Sequence, residues 1–235
     1  MRFITLASSS HGNVYIAEDK DSRILLECGV SYKKLRELLG FSLTGVTACL
    51  LSHEHMDHAK AAEKLLSDGL SVYMSEGTAE SLGLSCAEII EDREQFTVGS
   101  FDVVPFATFH DAAEPLGFLL KSRADGEILV FATDTVNLRY KFPGVSIFAV
   151  EANYDRAALE RSEKLPEKVK RRIENAHMEI DTLCDYLSSL DLSECREIHL
   201  LHLSDRMSRE AEFIKKVKGS VRGGIDVVAA PREVR

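Results

Sequence analysis

Three histidines, an aspartate and a glutamate fall within six residues of the stretch LLSHEHMDHAK, Leu50–Lys60. Imidazoles and carboxylates are the usual ligands of Zn²⁺ and Mn²⁺. His53 and His55 are two residues apart and can face one way in a turning segment, whereas Asp57 and His58 begin the next helix. One ion cannot use four ligands from so short a stretch without strain. The spacing therefore indicates two neighbouring ions, with the first histidine pair on one and Asp57 with His58 on the other.

A solvated loop of histidines and acids is the alternative for this stretch. The four ligand-type residues, however, directly follow the apolar run VTACLLS, which is typical of a buried strand. Placement at the end of a buried strand favours a metal site over a surface loop.

Three later residues are candidates to complete the ligand set. His110 ends VPFATFH at a strand-to-loop junction, and the alternative is a surface histidine. Asp134 ends the apolar run ILVFATD, where an unpaired acid is costly, and it can bridge two ions or cap a helix instead. His202 ends IHLLH, and the alternative is a hydrogen-bonded core histidine.

The elements that carry these residues read as buried strands. RFITLAS and NVYIAED predict a hairpin, and RILLECG, VTACLLS, GEILVFATD and EIHLLHLS predict further strands. Four of these strands deliver a ligand-type residue at the carboxyl end, where sheet-based sites usually lie. Two β-rich layers with helices outside would form an α/β fold of the four-layer αββα class, with two mixed sheets. We expect one domain, 1–235, with two related halves, roughly 1–105 and 106–235.

The helical pattern predicts one helix over DHAKAAEKLLSDG and two longer helices, 156–175 and 180–190. The basic stretch RSEKLPEKVKRR places Lys168, Arg171 and Arg172 on one helical face. This face could guide a phosphate backbone, or it could be a solvated face balanced by nearby glutamates. Ser204 could bind a phosphate or cap the next helix.

Composition limits the possible partners. The 235 residues are 45% hydrophobic and 29% charged, with a formal net charge of −9. An acidic chain needs a local basic patch or metal ions to bind nucleic acid. The five cysteines are scattered, no signal peptide is recognisable, and no apolar run is long enough for a membrane span. These features favour a cytoplasmic protein.

At this point the sequence resembles a known family. HEHMDH matches the H-x-H-x-D-H signature of the metallo-β-lactamase superfamily, and a histidine, a strand-end aspartate and a late histidine follow in family order. HGNVYI, HDAAEPLGF, VFATDT and LLHLSDR resemble the YycJ/WalJ-type nuclease branch, which is related to ribonuclease Z. The resemblance implies the αββα fold, two Zn²⁺ or Mn²⁺ ions and hydrolysis of phosphodiesters. The implied metal ligands are His53, His55, Asp57, His58, His110, Asp134 and His202.

The resemblance also implies roles beyond metal binding. Asp57 is expected to orient the attacking water, and His177, in AHMEI, is the candidate proton donor to the leaving oxygen. Two positions depart from the branch pattern. Glu27 stands where the family usually has an aspartate that supports the metal-binding loop, and Tyr154 stands where a histidine is common and is a candidate substrate contact.

The sequence therefore predicts a metal-dependent hydrolase, and a 5′-to-3′ DNA exonuclease is its preferred form, with DNA favoured over RNA as the partner. One alternative keeps the metal site for a small phosphodiester, thioester or lactam. An alternative of another class is a catalytically weak nucleic-acid-binding module. The oligomeric state is open.

Overall fold

The computed structural model describes residues 1–231, and the described chain divides into two compact units. Unit 1 consists of Met1–Ala107, Ala112–Glu127 and Pro231, and unit 2 of Thr108–Asp111 and Ile128–Ala230. The organisation expected from the sequence, a single domain with halves 1–105 and 106–235, stays a prediction.

Unit 1 contains a six-stranded mixed sheet. Its strands are β1 (Arg2–Ser9), β2 (Gly12–Glu18), β3 (Arg23–Leu26), β4 (Ala48–Leu50), β5 (Val72–Met74) and β6 (Glu88–Ile89), in that spatial order. The predicted hairpin is β1 with β2, antiparallel from Arg2 opposite Glu18 to Ser9 opposite Gly12. β3, β4, β5 and β6 run parallel. The ends of β3 and β4 therefore lie side by side, and each leads into a segment with ligand-type residues.

The remaining elements of unit 1 are three antiparallel strands and four short helices. They are β7 (Phe96–Val98), β8 (Phe101–Ala107), β9 (Leu116–Ser122), α1 (Tyr32–Leu38), α2 (Met56–Ala59), α3 (Ala62–Ser67) and α4 (Glu76–Leu82).

The single helix predicted over DHAKAAEKLLSDG is wrong, because α2 ends before α3 begins. The backbone N–H of Cys28 donates to the carbonyl of His58 at 2.8 Å, and the N–H of Ala61 donates to the carbonyl of Cys28 at 3.0 Å. These bonds to the segment after β3 replace the hydrogen bonds that a continuous helix would make. They fix α2, which carries Asp57 and His58, against the end of β3.

Unit 2 contains four parallel strands, β10 (Ile128–Ala132), β11 (Ile147–Glu151), β12 (Glu197–Leu201) and β13 (Asp226–Ala229). The spatial order is β13-β12-β11-β10. β10 and β11 carry near-continuous apolar runs, as expected for strands buried on both faces. Ala132 lies opposite Val150, and Glu151 lies opposite Leu201. This register aligns three strand ends at one edge of the sheet.

The helices of unit 2 are α5 (Arg156–Glu160), α6 (Glu167–Ala176), α7 (Ile180–Ser188) and α8 (Glu210–Ser220). The predicted helix 156–175 is wrong as one element, because it breaks between α5 and α6. Pro166 disfavours the helical conformation of the residue before it and has no N–H to donate, yet it suits the start of a new helix. A loop of basic and polar residues, 161–166, therefore separates the two helices.

Apolar packing holds each unit together. In unit 1, residues such as Val14, Leu25, Leu51 and Leu65 are buried in one cluster. In unit 2, α7 and α8 bury Leu183, Leu187, Phe213 and Val217, among others. Each such side chain contributes about 1.5–3 kcal/mol when fully buried. No helix in residues 1–231 is long and apolar enough to cross a membrane.

Candidate metal centre

The histidines of the opening motif lie close together in unit 1. The ring centroid of His53 is 4.7 Å from that of His55 and 4.3 Å from that of His58. Oδ2 of Asp57 is 3.6 Å from Nε2 of His58. His53 and His58 are fully buried, whereas His55 and Asp57 are partly exposed. Packing three imidazoles this tightly costs solvation, and that cost favours a group that all three can bind.

Hydrogen bonds inside unit 1 hold this motif in place. Nδ1 of His53 lies 2.8 Å from the hydroxyl of Ser52. The amide of Asn13 donates to the carbonyl of Asp57 at 3.1 Å, and its nitrogen is also 3.1 Å from Nε2 of His58. Sequence reasoning did not assign a role to Asn13. Its only signal was its place in HGNVYI, a stretch that carried the family resemblance.

Glu27 lies behind His58, as expected of a supporting residue. Its side chain is fully buried, and Oε2 is 3.5 Å from Nδ1 of His58. The N–H of Ser52 also donates to this oxygen at 3.4 Å. A carboxylate facing Nδ1 favours the tautomer that leaves Nε2 available as a metal ligand. The longer side chain of glutamate thus still reaches the histidine.

Unit 2 forms a second cluster at its aligned strand ends. Asp134, Glu151, His177 and His202 each offer one ligand atom, and these atoms all lie within 4.8 Å of one another. Nδ1 of His202 is 2.8 Å from Oδ1 of Asp134. Nε2 of His110, whose side chain is only 1% exposed, is 3.5 Å from Oδ2 of the same aspartate. The structure therefore brings together the unit 2 residues that the sequence singled out.

Glu151 is the site residue that sequence reasoning missed. It ends β11, is fully buried, and accepts hydrogen bonds from the N–H groups of Thr135 and Met178 at 2.8 and 3.1 Å. Its other oxygen is 2.7 Å from Nδ1 of His177 and 3.2 Å from Nδ1 of His202. The signal was available, because Glu151 ends a buried apolar strand just as Asp134 does.

The two carboxylates control the protonation of their histidine neighbours. Burial alone would lower the pKa of His202, but Asp134 and then Glu151 outweigh it and raise this pKa to about 10. Burial is likewise outweighed at His177, where Glu151 raises the pKa. At His110 burial prevails and lowers the pKa, despite the carboxylate of Asp134. Burial would raise the pKa of Glu151, yet His177 holds it below its usual value.

Backbone conformation at the strand ends is unusual. Asp134 and His202 have φ angles of 45° and 52°, and Glu27 in unit 1 has 62°. Left-handed φ costs a residue with a side chain on the order of 1–3 kcal/mol and is concentrated at functional sites. In each unit this conformation turns a ligand-type or supporting side chain out of its strand.

The donor sets suit a divalent metal of the zinc or manganese kind. Each unit presents several imidazole nitrogens and at least one carboxylate, mostly buried and already close to ligand spacing. Histidine and carboxylate ligands are those that Zn²⁺ and Mn²⁺ use in proteins. The residues present therefore fit such ions.

The predicted substrate contacts lie in unit 2 but have other partners. Tyr154 is 2% exposed and packs with Leu159 and Met207, so a substrate would reach its ring only after local rearrangement. The hydroxyl of Ser204 accepts the N–H of Met207 at 3.3 Å, which is the capping alternative. The substrate-binding roles of both residues stay predictions.

The predicted basic face belongs to α6. Lys168 and Arg171 are exposed, and Nε of Arg172 donates to Oδ2 of Asp111 at 2.9 Å. Arg172 thus links α6 to the residue after His110. A role of this face in substrate binding also stays a prediction.

Comparison with known proteins follows from these features. A family model described as a beta-lactamase superfamily domain matches residues 22–200. The exodeoxyribonuclease YycJ of Bacillus anthracis is 28% identical over 222 residues, which cover 87% of this chain and 83% of that protein. The exodeoxyribonuclease WalJ of Streptococcus pneumoniae is 27% identical over 222 residues, covering 86% and 81%.

Solved structures agree on the fold. The metallo-beta-lactamase fold protein YhfI from Bacillus subtilis superposes with a TM-score of 0.69 at 15% identity, covering 97% of this chain and 96% of that one. The fold class expected from the sequence is therefore confirmed: an α/β protein of the αββα class, with two mixed sheets flanked by helices.

Proposed function

Because the chain belongs to the beta-lactamase superfamily-domain family and to its YycJ/WalJ-type branch, we propose that it is a dinuclear metal-dependent phosphodiesterase that degrades DNA as a 5′-to-3′ exonuclease. The metal ligands are those expected from the sequence: His53, His55, Asp57, His58, His110, Asp134 and His202. Zn²⁺ or Mn²⁺ as the resident ion and a cytoplasmic location are parts of the same proposal.

The buried cluster of unit 2 is the observation that carries this proposal. Two carboxylates and two histidines converge to within 4.8 Å at the ends of three neighbouring strands. A purely structural core would avoid so many ionisable groups, since each loses solvation on burial. Their strained φ angles show that the fold spends stability on this arrangement.

Divalent ions, when bound, supply Lewis acidity that neutralises phosphate charge and activates water near neutral pH. The protein's own groups supply positioning. Asp57, partly exposed at the first turn of α2, is proposed to accept a hydrogen bond from the attacking water and so orient it. Asn13, which donates to the carbonyl of Asp57, keeps that turn in place.

His177 is proposed to protonate the leaving oxygen. Its Nδ1–H donates to Glu151, so Nε2 is the atom left to deliver a proton, and 19% of the side chain is exposed. Glu151 raises the pKa of His177 against the effect of burial. A general acid must be protonated before the leaving group departs, and this neighbour keeps it so over a wider pH range.

The substrate assignment rests on the relatives. YycJ and WalJ are named exodeoxyribonucleases, and carrying that activity to this chain is part of the proposal. Single-stranded DNA labelled at either the 5′ or the 3′ end, digested with Mn²⁺, tests it. We expect early release of the 5′ label as a mononucleotide and progressive shortening of the 3′-labelled strand.

A matched pair of variants makes this experiment specific. Asp57→Ala should abolish digestion, whereas Asp21→Ala, which changes an exposed acid elsewhere in unit 1, should not alter it. Cleavage of bis-p-nitrophenyl phosphate without action on DNA would contradict the nuclease assignment and favour a small-molecule substrate.

A further inference from the structure

A cavity of about 610 Å³ lies on unit 2, outside the buried cluster. The loop 161–166, between α5 and α6, forms one side, and the segment that follows β12 forms the other. The N–H of Asp155 donates to the carbonyl of Met207 at 2.8 Å, and the N–H of Ser204 donates to the carbonyl of Asn153 at 2.9 Å. These bonds join the segments after β11 and β12, so the cavity rests on a fixed base.

The cavity carries an excess of positive charge. Four cationic side chains line it, against the two carboxylates of Asp155 and Glu212. Both carboxylates already have partners. Asp155 accepts the N–H of Ala158 at 2.8 Å and lies 3.7 Å from Nζ of Lys216, and Glu212 pairs with Arg209 at 3.0 Å.

Three cations of the lining therefore remain for an external anion. Arg161, Lys164 and Arg206 are exposed, and none of them forms an ion pair within residues 1–231. Like charges held around one cavity repel each other, so an anionic occupant lowers the energy of the arrangement. Guanidinium groups match the oxygens of a phosphate with two parallel hydrogen bonds.

The chain places this cavity near the buried cluster. Arg206 comes four residues after His202, and Asp155 comes four residues after Glu151. Four extended residues span at most about 14 Å. Phosphates of one DNA strand follow each other at about 3.4 Å along a duplex axis. The cavity is therefore within a few nucleotides of the proposed catalytic residues.

We propose that this cavity binds phosphate groups of the DNA strand a few nucleotides from the bond that is cut, with Arg161 and Arg206 as the main contacts and Lys164 in support. This rests on the proposed function and deepens it. It also explains how a chain with a formal net charge of −9 can hold a polyanion. The loop at 161–166 exists only because Pro166 interrupts the helix, so the same break supplies two of the three cations.

The test compares two double variants of the Mn²⁺-loaded protein. One is Arg161→Ala with Arg206→Ala. The control is Lys215→Ala with Lys218→Ala, which removes the same charge from exposed positions of α8 that do not line the cavity. Binding to phosphorothioate single-stranded DNA, which resists hydrolysis, is measured by fluorescence anisotropy over a range of salt concentrations, and thermal unfolding shows that both variants are folded.

The cavity variant should bind DNA about tenfold more weakly at low salt, and its slope of log affinity against log salt should be shallower by about 1.4–1.8 for two lost phosphate contacts. The control should lose less than about twofold. Equal affinities of the two double variants would overturn the inference, as would loss of affinity for inorganic phosphate alone, which would assign the cavity to a small ligand.

The binding assay does not depend on cleavage, so the two proposals can fail separately. A wild-type protein that digests DNA, with a cavity variant that binds it normally, would leave the function standing and remove this inference. A wild-type protein that binds DNA through the cavity without digesting it would do the reverse. A wild-type protein that binds no DNA would overturn both.

Discussion

Oε1 of Glu151 lies 2.7 Å from Nδ1 of His177, inside unit 2. The carboxylate is fully buried, and its second oxygen is held by two backbone N–H groups. Glu151 is therefore a rigid acceptor that fixes both the tautomer and the orientation of the histidine. This pairing gives the proposed proton donor a defined free nitrogen and a pKa above its ordinary value.

Replacing Glu151 with glutamine should shift the pH profile of DNA digestion. The carboxylate raises the pKa of His177, so its removal lowers that pKa. A general acid is active below its pKa, and its activity is lost as the pH rises through that value. In Glu151→Gln the loss of kcat on the high-pH side should therefore occur at lower pH than in the wild type, as measured by kcat against pH.

His177→Ala and metal analysis are the controls for this prediction. His177→Ala should lower kcat by about 10²-fold or more and remove the high-pH limb. Glu151 also faces His202 at 3.2 Å, so metal content is measured in Glu151→Gln as well. A high-pH limb that stays in place while metal content remains at the wild-type level would contradict the positioning role of Glu151.

Gly29 should be intolerant of any side chain. A Cβ at this position would lie 1.7 Å from the carbonyl oxygen of Asp57 and 2.7 Å from the backbone nitrogen of His58. Gly29→Ala must therefore push α2 away from the end of β3, at a cost of roughly 3 kcal/mol or more. We expect a large fall in melting temperature together with loss of bound metal.

Gly219→Ala is the matched control for that change. Gly219 lies in α8, and a Cβ there would meet no atom within 4 Å. Alanine is favoured over glycine inside a helix by up to about 1 kcal/mol. This variant should be as stable as the wild type or slightly more stable. If both alanine variants unfolded at the same temperature, the close approach of Gly29 to α2 would be wrong.

Asp19 should make the stability of the protein depend on acidic pH. Its carboxylate accepts the hydroxyls of Ser100 and Ser122 at 2.7 Å and the N–H groups of Asp21 and Ser22 at 2.9 Å. Burial would raise its pKa, but these hydrogen bonds outweigh burial and lower it below the ordinary 3.8. The stabilisation is thus fully present above the ordinary pKa and is lost as the pH falls through the lower folded value.

Asp19→Asn should lower the free energy of unfolding near neutral pH by about 2 kcal/mol, since hydrogen bonds to a charged group are replaced by neutral ones. The difference from the wild type should shrink in strong acid. Asp21→Asn, which changes an exposed neighbour, is the control and should have little effect. Urea unfolding at a series of pH values measures both, and a difference that is constant with pH would contradict this role of Asp19.

Much of the fold followed from the sequence because apolar runs mark buried strands regardless of their partners. The hairpin of β1 and β2 and the strands that end before Glu27, Asp134 and His202 were predicted in this way, and the fold class is confirmed. The helix errors came from tertiary contacts and one local rule. Helical periodicity at 57–69 could not reveal the hydrogen bonds to Cys28 that end α2. Pro166, in contrast, was visible in the sequence as the residue that breaks 156–175.

The site was predicted less completely than the fold. A motif as dense as HEHMDH indicates metal ligands by residue type alone, and the order of His110, Asp134 and His202 matched the family. Glu151 was missed, because its role depends on a register that places it beside His177 and His202, and periodicity carries no register. Asn13 was missed for a similar reason, since the sequence does not show that it lies beside α2.

Metal content per chain, measured by mass spectrometry on the purified protein loaded with Mn²⁺ or Zn²⁺, tests the central claim most directly. We expect two ions per wild-type chain, and less than one in Asp134→Ala, because this carboxylate is proposed to serve both ions. His11→Ala, which changes an exposed histidine outside both clusters, should retain two. A wild-type chain without stoichiometric metal, or an Asp134→Ala chain that keeps two ions, would contradict the account.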